Sequence, residues 1–322
     1  MFKIRSNKKM LKGVEFIDLF CGIGGFHQAL SSYGAECVFA SKIDDKAKNV
    51  YENNYKLKPQ GDIRKIKSKD IPRHDILCAG FPCQAFSISG KQNGFKDDNG
   101  KLFFEIVRIA RYHKPKVILL ENVKNLMSHD NGKTIMTIEK SLTRIGYKTY
   151  KKVLCASDFG VPQARKRLYI VALNNEYDFE EFFFPTPRKK KKILKDILQN
   201  NVGDNFYIDR RYEITVDVLG DKDQLIRIGS IGLGRQGERI YSIEGQAVTL
   251  SSQGGGIGGK TGLYYINNRV RRLTPRECAR LMGFPESFKM GTTENECYKQ
   301  FGNSVVINVI QEIVREISKY FI

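Results

Sequence analysis

The segment FIDLFCGIGGF, from Phe16 to Phe26, carries the pattern that decides the fold. Its first five residues are mostly apolar and typical of a buried strand, and the glycines that follow predict a tight turn into a helix beginning near Gly25. Such a turn brings backbone N–H groups toward a nucleotide-like ligand. It lacks the GxGxxG spacing, so the segment alone is equally consistent with a purely structural turn.

Short apolar runs separated by helical stretches continue through the first half of the chain. Further strands are predicted at 36–40, 75–79 and 117–120, with a late antiparallel pair at 152–156 and 167–172. This alternation is typical of a doubly wound, largely parallel α/β sheet, whose ligands bind at the carboxyl ends of the strands. The final stretch, 304–321, has the apolar spacing of an amphipathic helix.

The composition of the whole chain narrows the class of protein. Its 322 residues include 54 Lys and Arg against 35 Asp and Glu, a formal net charge of +19 that favours a polyanionic partner. No apolar run approaches the roughly 20 residues that span a bilayer, and the basic start lacks a signal-peptide cleavage site. The seven scattered cysteines form no CxxC pair, so we expect reduced thiols, no metal site and a cytoplasmic location.

The composition changes in the second half of the chain. The basic run PTPRKKKK, at 185–192, is typical either of a crossing between domains or of a solvated loop. The segment 226–266 places glycines between short β-like runs. That pattern suits a module that approaches a partner closely, and it suits any irregular β structure equally well.

Cys83 is the strongest candidate for a reactive side chain. It follows a predicted strand and Pro82, which together hold it in a turn at the carboxyl edge of the sheet. The alternative is an inert buried cysteine, against which the polar Gln84 and the Ser- and Gly-rich continuation argue. The next strand ends at Glu121, so a carboxyl group is expected beside the thiol. A thiolate next to a carboxylic acid is a nucleophile–acid pair.

Three other charged residues are weaker candidates. Arg165 and Arg167 lead into the strand at 167–172, and alternation would send both to one face. There they serve either as clamps for an anion or carbonyl group, or as edge-strand charges that prevent aggregation. Asp62 follows a predicted strand end and by itself is simply a turn residue.

Six motifs, taken in order, resemble those of the DNA (cytosine-5)-methyltransferases. They are FIDLFCGIGGF (16–26), GFPCQAFSISG (80–90), ENVKNL (121–126), QARKRLYIV (163–171), RRLTPRECARLMGFP (271–285) and QFGNSVV (300–306). The variable region, with GLGRQGERIYS, AVTLS and GGGI, resembles that of bacterial restriction–modification members that methylate GCGC. The resemblance implies a Rossmann-like, S-adenosylmethionine-dependent sheet with a smaller, mostly β target-recognition domain. It implies a discontinuous catalytic domain, 1–190 plus 286–322, and a recognition domain with its hinge at 191–285.

The resemblance also implies a mechanism on a cytosine flipped out of duplex DNA. Cys83 attacks carbon 6, so that carbon 5 can accept a methyl group, and Glu121 holds or protonates nitrogen 3. Arg165 contacts the carbonyl oxygen of the base, and Arg167 is structural or binds phosphate. The implied cofactor-binding residues are Phe20, Gly22, Gly24, Asp44, Asp62, Pro82, Leu102, Asn303 and Val305. The implied DNA-binding residues are Ser89, Gln236, Arg239, Thr249, Gln253 and Gly256.

Two positions depart from the pattern of the family. The second strand ends in Lys42-Ile43-Asp44, where the family offers an acidic residue and an aromatic ring. A lysine cannot accept a hydrogen bond from a ribose hydroxyl, so either Asp44 takes this role or cofactor affinity falls. Gln253 stands where the resemblance to GCGC-methylating members predicts a tyrosine.

The leading hypothesis is an enzyme that methylates duplex DNA, acts as a monomer and protects DNA from a cognate restriction endonuclease. One alternative is a tRNA cytosine-5 methyltransferase, which the long glycine-rich segment 226–266 disfavours. The other is a non-catalytic DNA-binding relative. Its sole support is Lys42, against the intact Cys83, Glu121 and Arg165.

Overall fold

The computed structural model describes residues 10–82, 98–188, 191–215 and 221–321. The chain divides into two units. The first comprises Met1–Leu154, Lys166–Pro185 and Ile310–Ile322, and the second comprises Cys155–Arg165 and Thr186–Val309. These bounds follow from the packing of the chain, whereas the domain limits expected at 190 and 286 are those that the family resemblance implies. The functional division stays a prediction.

The first unit is built on a six-stranded sheet in the order β2-β1-β3-β4-β6-β5. Its strands are β1 (Glu15–Leu19), β2 (Glu36–Ser41), β3 (Ile76–Gly80), β4 (Val117–Val123), β5 (Tyr147–Cys155) and β6 (Lys166–Asn174). The four strands from β2 to β4 are parallel, and β6 runs antiparallel to β4. The predicted fold class is therefore confirmed. β4 is longer than predicted, because its pairing with β6 continues to Val123 opposite Arg167.

Helices cover both faces of this sheet. The seven helices of the chain as described are α1 (Gly25–Ser31), α2 (Asp45–Tyr55), α3 (Asp98–His113), α4 (Lys133–Thr143), α5 (Pro275–Leu281), α6 (Glu294–Asn303) and α7 (Ile307–Ile317). Side chains of α3 and α4 form one core with Ile17 and Leu19 of β1. On the opposite face Tyr51 of α2 packs against Ala40 and Cys21. Two covered faces make the sheet doubly wound.

The predicted terminal helix, 304–321, begins three residues later in the structure. α6 ends at Asn303, and Ser304 then adopts an extended conformation before α7 begins at Ile307. α7 itself ends at Ile317 and is followed by a single 3-10 turn, Ser318–Phe321. Within the ranges given above, no helix is long and apolar enough to cross a membrane.

The second unit contains a five-stranded sheet in the order β11-β10-β9-β8-β7. The strands are β7 (Tyr212–Ile214), β8 (Arg227–Ile231), β9 (Arg239–Ser242), β10 (Leu263–Ile266) and β11 (Arg269–Arg271). All adjacent pairs are antiparallel except β9 and β10. A small core of Ile231, Ile240, Leu263 and Val270 lies against it. The smaller, mostly β domain that the family resemblance implied is therefore confirmed.

A buried ion pair fixes the start of α5 in the second unit. Arg271 Nη2 lies 2.7 Å from Glu277 Oε1, and the two side chains are 1% and 0% exposed. Glu277 Oε2 also accepts a hydrogen bond from the backbone N–H of Thr274, at 2.8 Å. The sequence did not predict this pair, since charged residues six positions apart give no signal that both are buried.

Candidate functional site

The carboxyl ends of β1 and β3 lie side by side where the strand order reverses. β2 flanks β1 on one side and β3 flanks it on the other. In doubly wound sheets the crevice at such a reversal is the ligand site. The glycine-rich turn after β1 and the segment Phe81–Pro82 after β3 therefore start from the edge of the sheet that the sequence predicted.

The turn after β1 has an unusual backbone that leaves space beside it. Phe20, Gly22 and Gly24 have φ angles of 57°, 55° and 87°. A Cβ at Gly24 would lie 2.1 Å from the ring of Tyr55, whereas a Cβ at Gly22 would meet no atom within 4 Å. Tyr55 Oη donates to the carbonyl oxygen of Gly24 at 2.9 Å, so α2 supports the turn from one side. The open side at Gly22 fits a cofactor.

The acidic residues that were predicted to bind the cofactor have local partners. Asp44 caps α2 by accepting hydrogen bonds from the backbone N–H groups of Lys46 and Ala47, at 3.1 and 3.3 Å. Asp62 Oδ2 accepts from Arg64 Nη2 at 2.6 Å, and the hydrogen bonds from Arg64 lower the pKa of the Asp62 carboxyl. The residue that follows β2 is Lys42, whose backbone N–H donates to the carbonyl oxygen of Gln60 at 2.9 Å.

The other predicted cofactor residues fall in both units. Pro82 is half-buried after β3, and Leu102 is buried in α3 of the first unit. Asn303, the exposed last residue of α6, and the buried Val305 belong to the second unit. Each unit therefore contributes residues to the predicted set.

Glu121 lies in β4 next to the segment that precedes Cys83. Gly80, the last residue of β3, pairs in register with Glu121. Asn122 Nδ2 donates to the carbonyl oxygen of Phe81 at 3.1 Å, which ties this segment to the end of β4. Cys83 and Ser89 lie outside the described residues. Gly80, which lies opposite Glu121, is therefore only three residues before the predicted nucleophile, Cys83.

Arg167 is the cation that pairs with Glu121. Its Nε lies 3.3 Å from Glu121 Oε1, and the two side chains are only 17% and 11% exposed. The family resemblance implied that Arg167 is structural or binds phosphate. The pairing instead gives the first unit a buried carboxyl group and a guanidinium side by side, a set that can bind the polar edge of a base.

Arg165 has a different environment, within the second unit. It is buried, and its guanidinium donates to the carbonyl oxygens of Leu250, Gly302 and Ser304 at 3.1, 3.0 and 2.9 Å. β6 begins after Arg165, so the alternation argument for a shared face does not apply to it. These contacts favour a structural Arg165 and a base-contacting Arg167, the reverse of the predicted roles.

Four of the described cysteines are unsuited to nucleophilic attack, because burial keeps their thiols protonated. Six are free thiols, and they are Cys21, Cys37, Cys78, Cys155, Cys278 and Cys297. Burial raises the pKa of the Cys21, Cys78 and Cys278 thiols well above its usual value, and raises that of Cys37 to about 12. A buried, protonated thiol is a poor nucleophile. Over the same described ranges, no group of His, Cys, Asp and Glu could hold a metal ion.

Two glycine-rich segments of the second unit carry most of the predicted DNA-binding residues. The first, 232–239, connects β8 to β9 and exposes Gln236 and Arg239. The second, 253–259, exposes Gln253 and Gly256. Thr249 instead donates from its hydroxyl group to the carbonyl oxygen of Ala164 at 2.7 Å. We call 232–239 and 253–259 the recognition loops.

The recognition loops are joined backbone to backbone. The N–H group of Gly258 donates to the carbonyl oxygen of Gly237 at 2.9 Å. A Cβ at Gly259 would lie 1.8 Å from the carbonyl oxygen of Gly255, and a Cβ at Gly237 would lie 2.9 Å from the same atom. The sequence left open which group the backbone at these glycines approaches. Here they approach each other, and the polar side chains are left exposed.

Comparison with known proteins gives a consistent result. The sequence matches the family described as C-5 cytosine-specific DNA methylase over residues 14–319. It is 49% identical to Type II methyltransferase M.HhaI of Haemophilus parahaemolyticus, covering 98% of this chain and 97% of that protein. It is 39% identical to Type II methyltransferase M.DsaV of Dactylococcopsis salina, over 96% and 87%. The structure of the Entamoeba histolytica methyltransferase EhMeth has the same fold, with a TM-score of 0.75, 19% identity and coverage of 96% and 99%.

Proposed function

The chain belongs to the C-5 cytosine-specific DNA methylase family, and we propose that it methylates carbon 5 of a flipped-out cytosine in a short specific duplex DNA sequence, using S-adenosylmethionine. It is an enzyme, a DNA (cytosine-5-)-methyltransferase. The candidate target is GCGC, from the likeness of GLGRQGERIYS and AVTLS to members with that target. In the cytoplasm this activity would protect DNA from a cognate restriction endonuclease.

One observation carries the assignment of the catalytic residues. Gly80 pairs with Glu121, and Asn122 holds the carbonyl group of Phe81, so the backbone leading to Cys83 runs beside the Glu121–Arg167 pair. A nucleophile attached there would share one crevice with a carboxyl group and a guanidinium. These are the groups needed to add a thiolate to a pyrimidine and to absorb the charge that results.

The chemistry proceeds on the cytosine ring. The Cys83 thiolate adds to carbon 6, and the electron pair of the 5,6 double bond becomes available at carbon 5 while Glu121 supplies a proton to nitrogen 3. Arg167 holds the carbonyl oxygen of the base. The bound cofactor supplies the methyl group to carbon 5. Loss of the carbon 5 proton to water then reforms the double bond and expels the thiolate, and the proton on nitrogen 3 returns to the Glu121 carboxylate.

The residues around the first strand end fit the cofactor in part. The open space beside Gly22 and the left-handed turn from Phe20 to Gly24 accommodate a ligand against the backbone. Leu102 and Pro82 supply apolar surface, and Asn303 and Val305 complete the proposed set. At the end of β2 the ribose would meet Lys42, since Asp44 caps α2. We therefore propose a site of reduced affinity for the ribose hydroxyl groups.

The DNA-binding residues complete the proposal. A stacked cytosine is inaccessible to a thiolate, so the base must leave the helix at a cost of a few kcal/mol. Gln236 and Ser89 would fill the vacated space, with Gln236 pairing with the orphan guanine. Arg239 suits bidentate contact with a guanine edge, and Gln253 and Gly256 would lie near bases or phosphates. Thr249 would act through its contact with Ala164.

The test is covalent trapping. The protein and S-adenosylmethionine are incubated with GCGC duplexes that contain 5-fluorocytosine, whose fluorine cannot leave as a proton does. We expect a denaturation-resistant adduct with wild-type protein and none with Cys83→Ser, which should still bind the duplex. An adduct on other duplexes but not on GCGC would reject the target. Absence of an adduct on every duplex would reject the mechanism.

A further inference from the structure

Leu233 is the most exposed large hydrophobic side chain in the described residues. It is 83% exposed, at the connection between β8 and β9, in the first recognition loop. An isolated exposed leucine needs no special explanation in a mobile loop. The surroundings of Leu233 are instead fixed by several contacts and are strongly polar.

The turn holds Leu233 in one position. Gly232 and Gly234 on either side have φ angles of 54° and 68°, which favour glycine. The N–H group of Gly234 bonds the carbonyl oxygen of Ile231 at 3.2 Å, and Arg239 Nε donates to the carbonyl oxygen of Gly234 at 3.3 Å. The backbone on both sides of the leucine is therefore set before any partner binds.

Charge identifies the partner that covers this loop. Arg235, Gln236 and Arg239 are exposed next to Leu233, while the carboxylate of Glu238 accepts a hydrogen bond from the backbone N–H of Arg235 at 2.9 Å. Two arginines against one carboxylate leave the loop with a net positive charge, which matches a polyanion. β8 and β9 are neighbouring antiparallel strands of the five-stranded sheet, and the turn that connects them carries these exposed side chains.

We infer that Leu233 binds a methyl group on carbon 5 of a pyrimidine in the major groove close to the extruded cytosine. This rests on the proposed function. Carbon 5 methyl groups are the apolar features of that groove, and an aliphatic side chain recognises them by contact. The methyl group has two sources, thymine in or beside the target and 5-methylcytosine left by the enzyme on the partner strand. In the second case Leu233 favours hemimethylated DNA.

The experiment measures equilibrium affinity with single methyl groups removed or added. Duplexes that carry the target are compared in pairs, thymine against deoxyuridine at each flanking position and cytosine against 5-methylcytosine on the partner strand, by fluorescence anisotropy at constant salt. Burial of one methyl group predicts about fourfold tighter binding at one position for wild-type protein. The position that shows the effect identifies the source.

Variants assign the effect to the leucine. The measured quantity is the ratio of the affinities with and without the methyl group. Leu233→Ala should reduce this ratio to about one, and Leu233→Met should retain it. Leu225→Ala is the control, at a side chain 41% exposed in the same unit, and should leave the ratio unchanged. A wild-type ratio of one at every position, or a ratio that survives in Leu233→Ala, would overturn the inference. Trapping with 5-fluorocytosine is read separately. An adduct without any methyl preference rejects Leu233 alone, whereas no adduct rejects the proposed function.

Discussion

Two regions differ in how they hold their polar side chains. One is the crevice at the ends of β1, β3 and β4, and the other is the pair of recognition loops. In the crevice, the charged side chains of Glu121 and Arg167 are paired with each other within the protein. In the recognition loops the backbones are locked together by glycines, and Gln236, Arg239 and Gln253 remain exposed. Catalysis benefits from charges that are oriented before substrate arrives. Recognition benefits from a rigid backbone whose exposed side chains contact water in the free protein and DNA in the complex.

The largest effect should follow from removing the acid in the crevice. Glu121→Gln keeps the size of the side chain but cannot donate a carboxyl proton to nitrogen 3, so we expect kcat to fall by about 10²–10⁴ with little change in DNA affinity. Glu139→Gln, which removes an acid paired with Lys151 elsewhere in the same unit, is the control. Turnover of Glu121→Gln close to that of wild type would show that Glu121 does not supply the proton to nitrogen 3.

The two arginines test the difference between the units directly. Arg167→Met should lower kcat by roughly 10²-fold with a small change in Tm, because it removes the cation beside Glu121. Arg165→Met should lower Tm by several degrees, because three buried carbonyl groups lose their donor. Thermal unfolding and single-turnover kinetics measure both variants. If the loss of Tm belonged to Arg167 and the loss of chemistry to Arg165, the original assignment from sequence would be correct.

The recognition loops can be separated by one methyl group. In Gly237→Ala the added Cβ would lie 2.9 Å from the carbonyl oxygen of Gly255 in the other loop, so the loops must move apart. We expect a loss of about 1–3 kcal/mol in specific DNA binding, the range for overpacking, with non-specific binding unchanged. Gly255→Ala is the matched control, because its Cβ would meet no atom within 4 Å. Equal losses in both variants would mean that loop contact does not set specificity.

The smallest effect concerns the cofactor. Lys42→Glu places a hydrogen-bond acceptor at the end of β2, and one additional bond to a ribose hydroxyl predicts roughly fivefold tighter binding of S-adenosylmethionine in calorimetry. Lys58→Glu makes the same change of charge at an exposed position and should not alter this affinity. Unchanged binding by Lys42→Glu would indicate that other groups already hold the ribose.

Much of the fold was predictable because hydrophobic periodicity is local. The strands around Phe16–Phe20 and Glu36–Ala40 were placed within one residue, since short apolar runs between turn residues leave few alternatives. The boundary at 304–307 was missed because the apolar pattern of Val305 and Val306 also suits a helix. Only their tertiary packing makes this segment extended and buried.

The sequence by itself determined the doubly wound sheet, because the spacing of apolar residues encodes it directly. It also predicted Cys83 as the nucleophile, and that role stays a prediction. The contacts of Arg165 with three backbone carbonyl groups and the pairing of Arg167 with Glu121 were decided only by the tertiary structure. So were the commitment of Asp44 and Asp62 to local partners and the joining of the two recognition loops. A side chain's role depends on which distant donors and acceptors reach it, and one-dimensional spacing does not contain those distances.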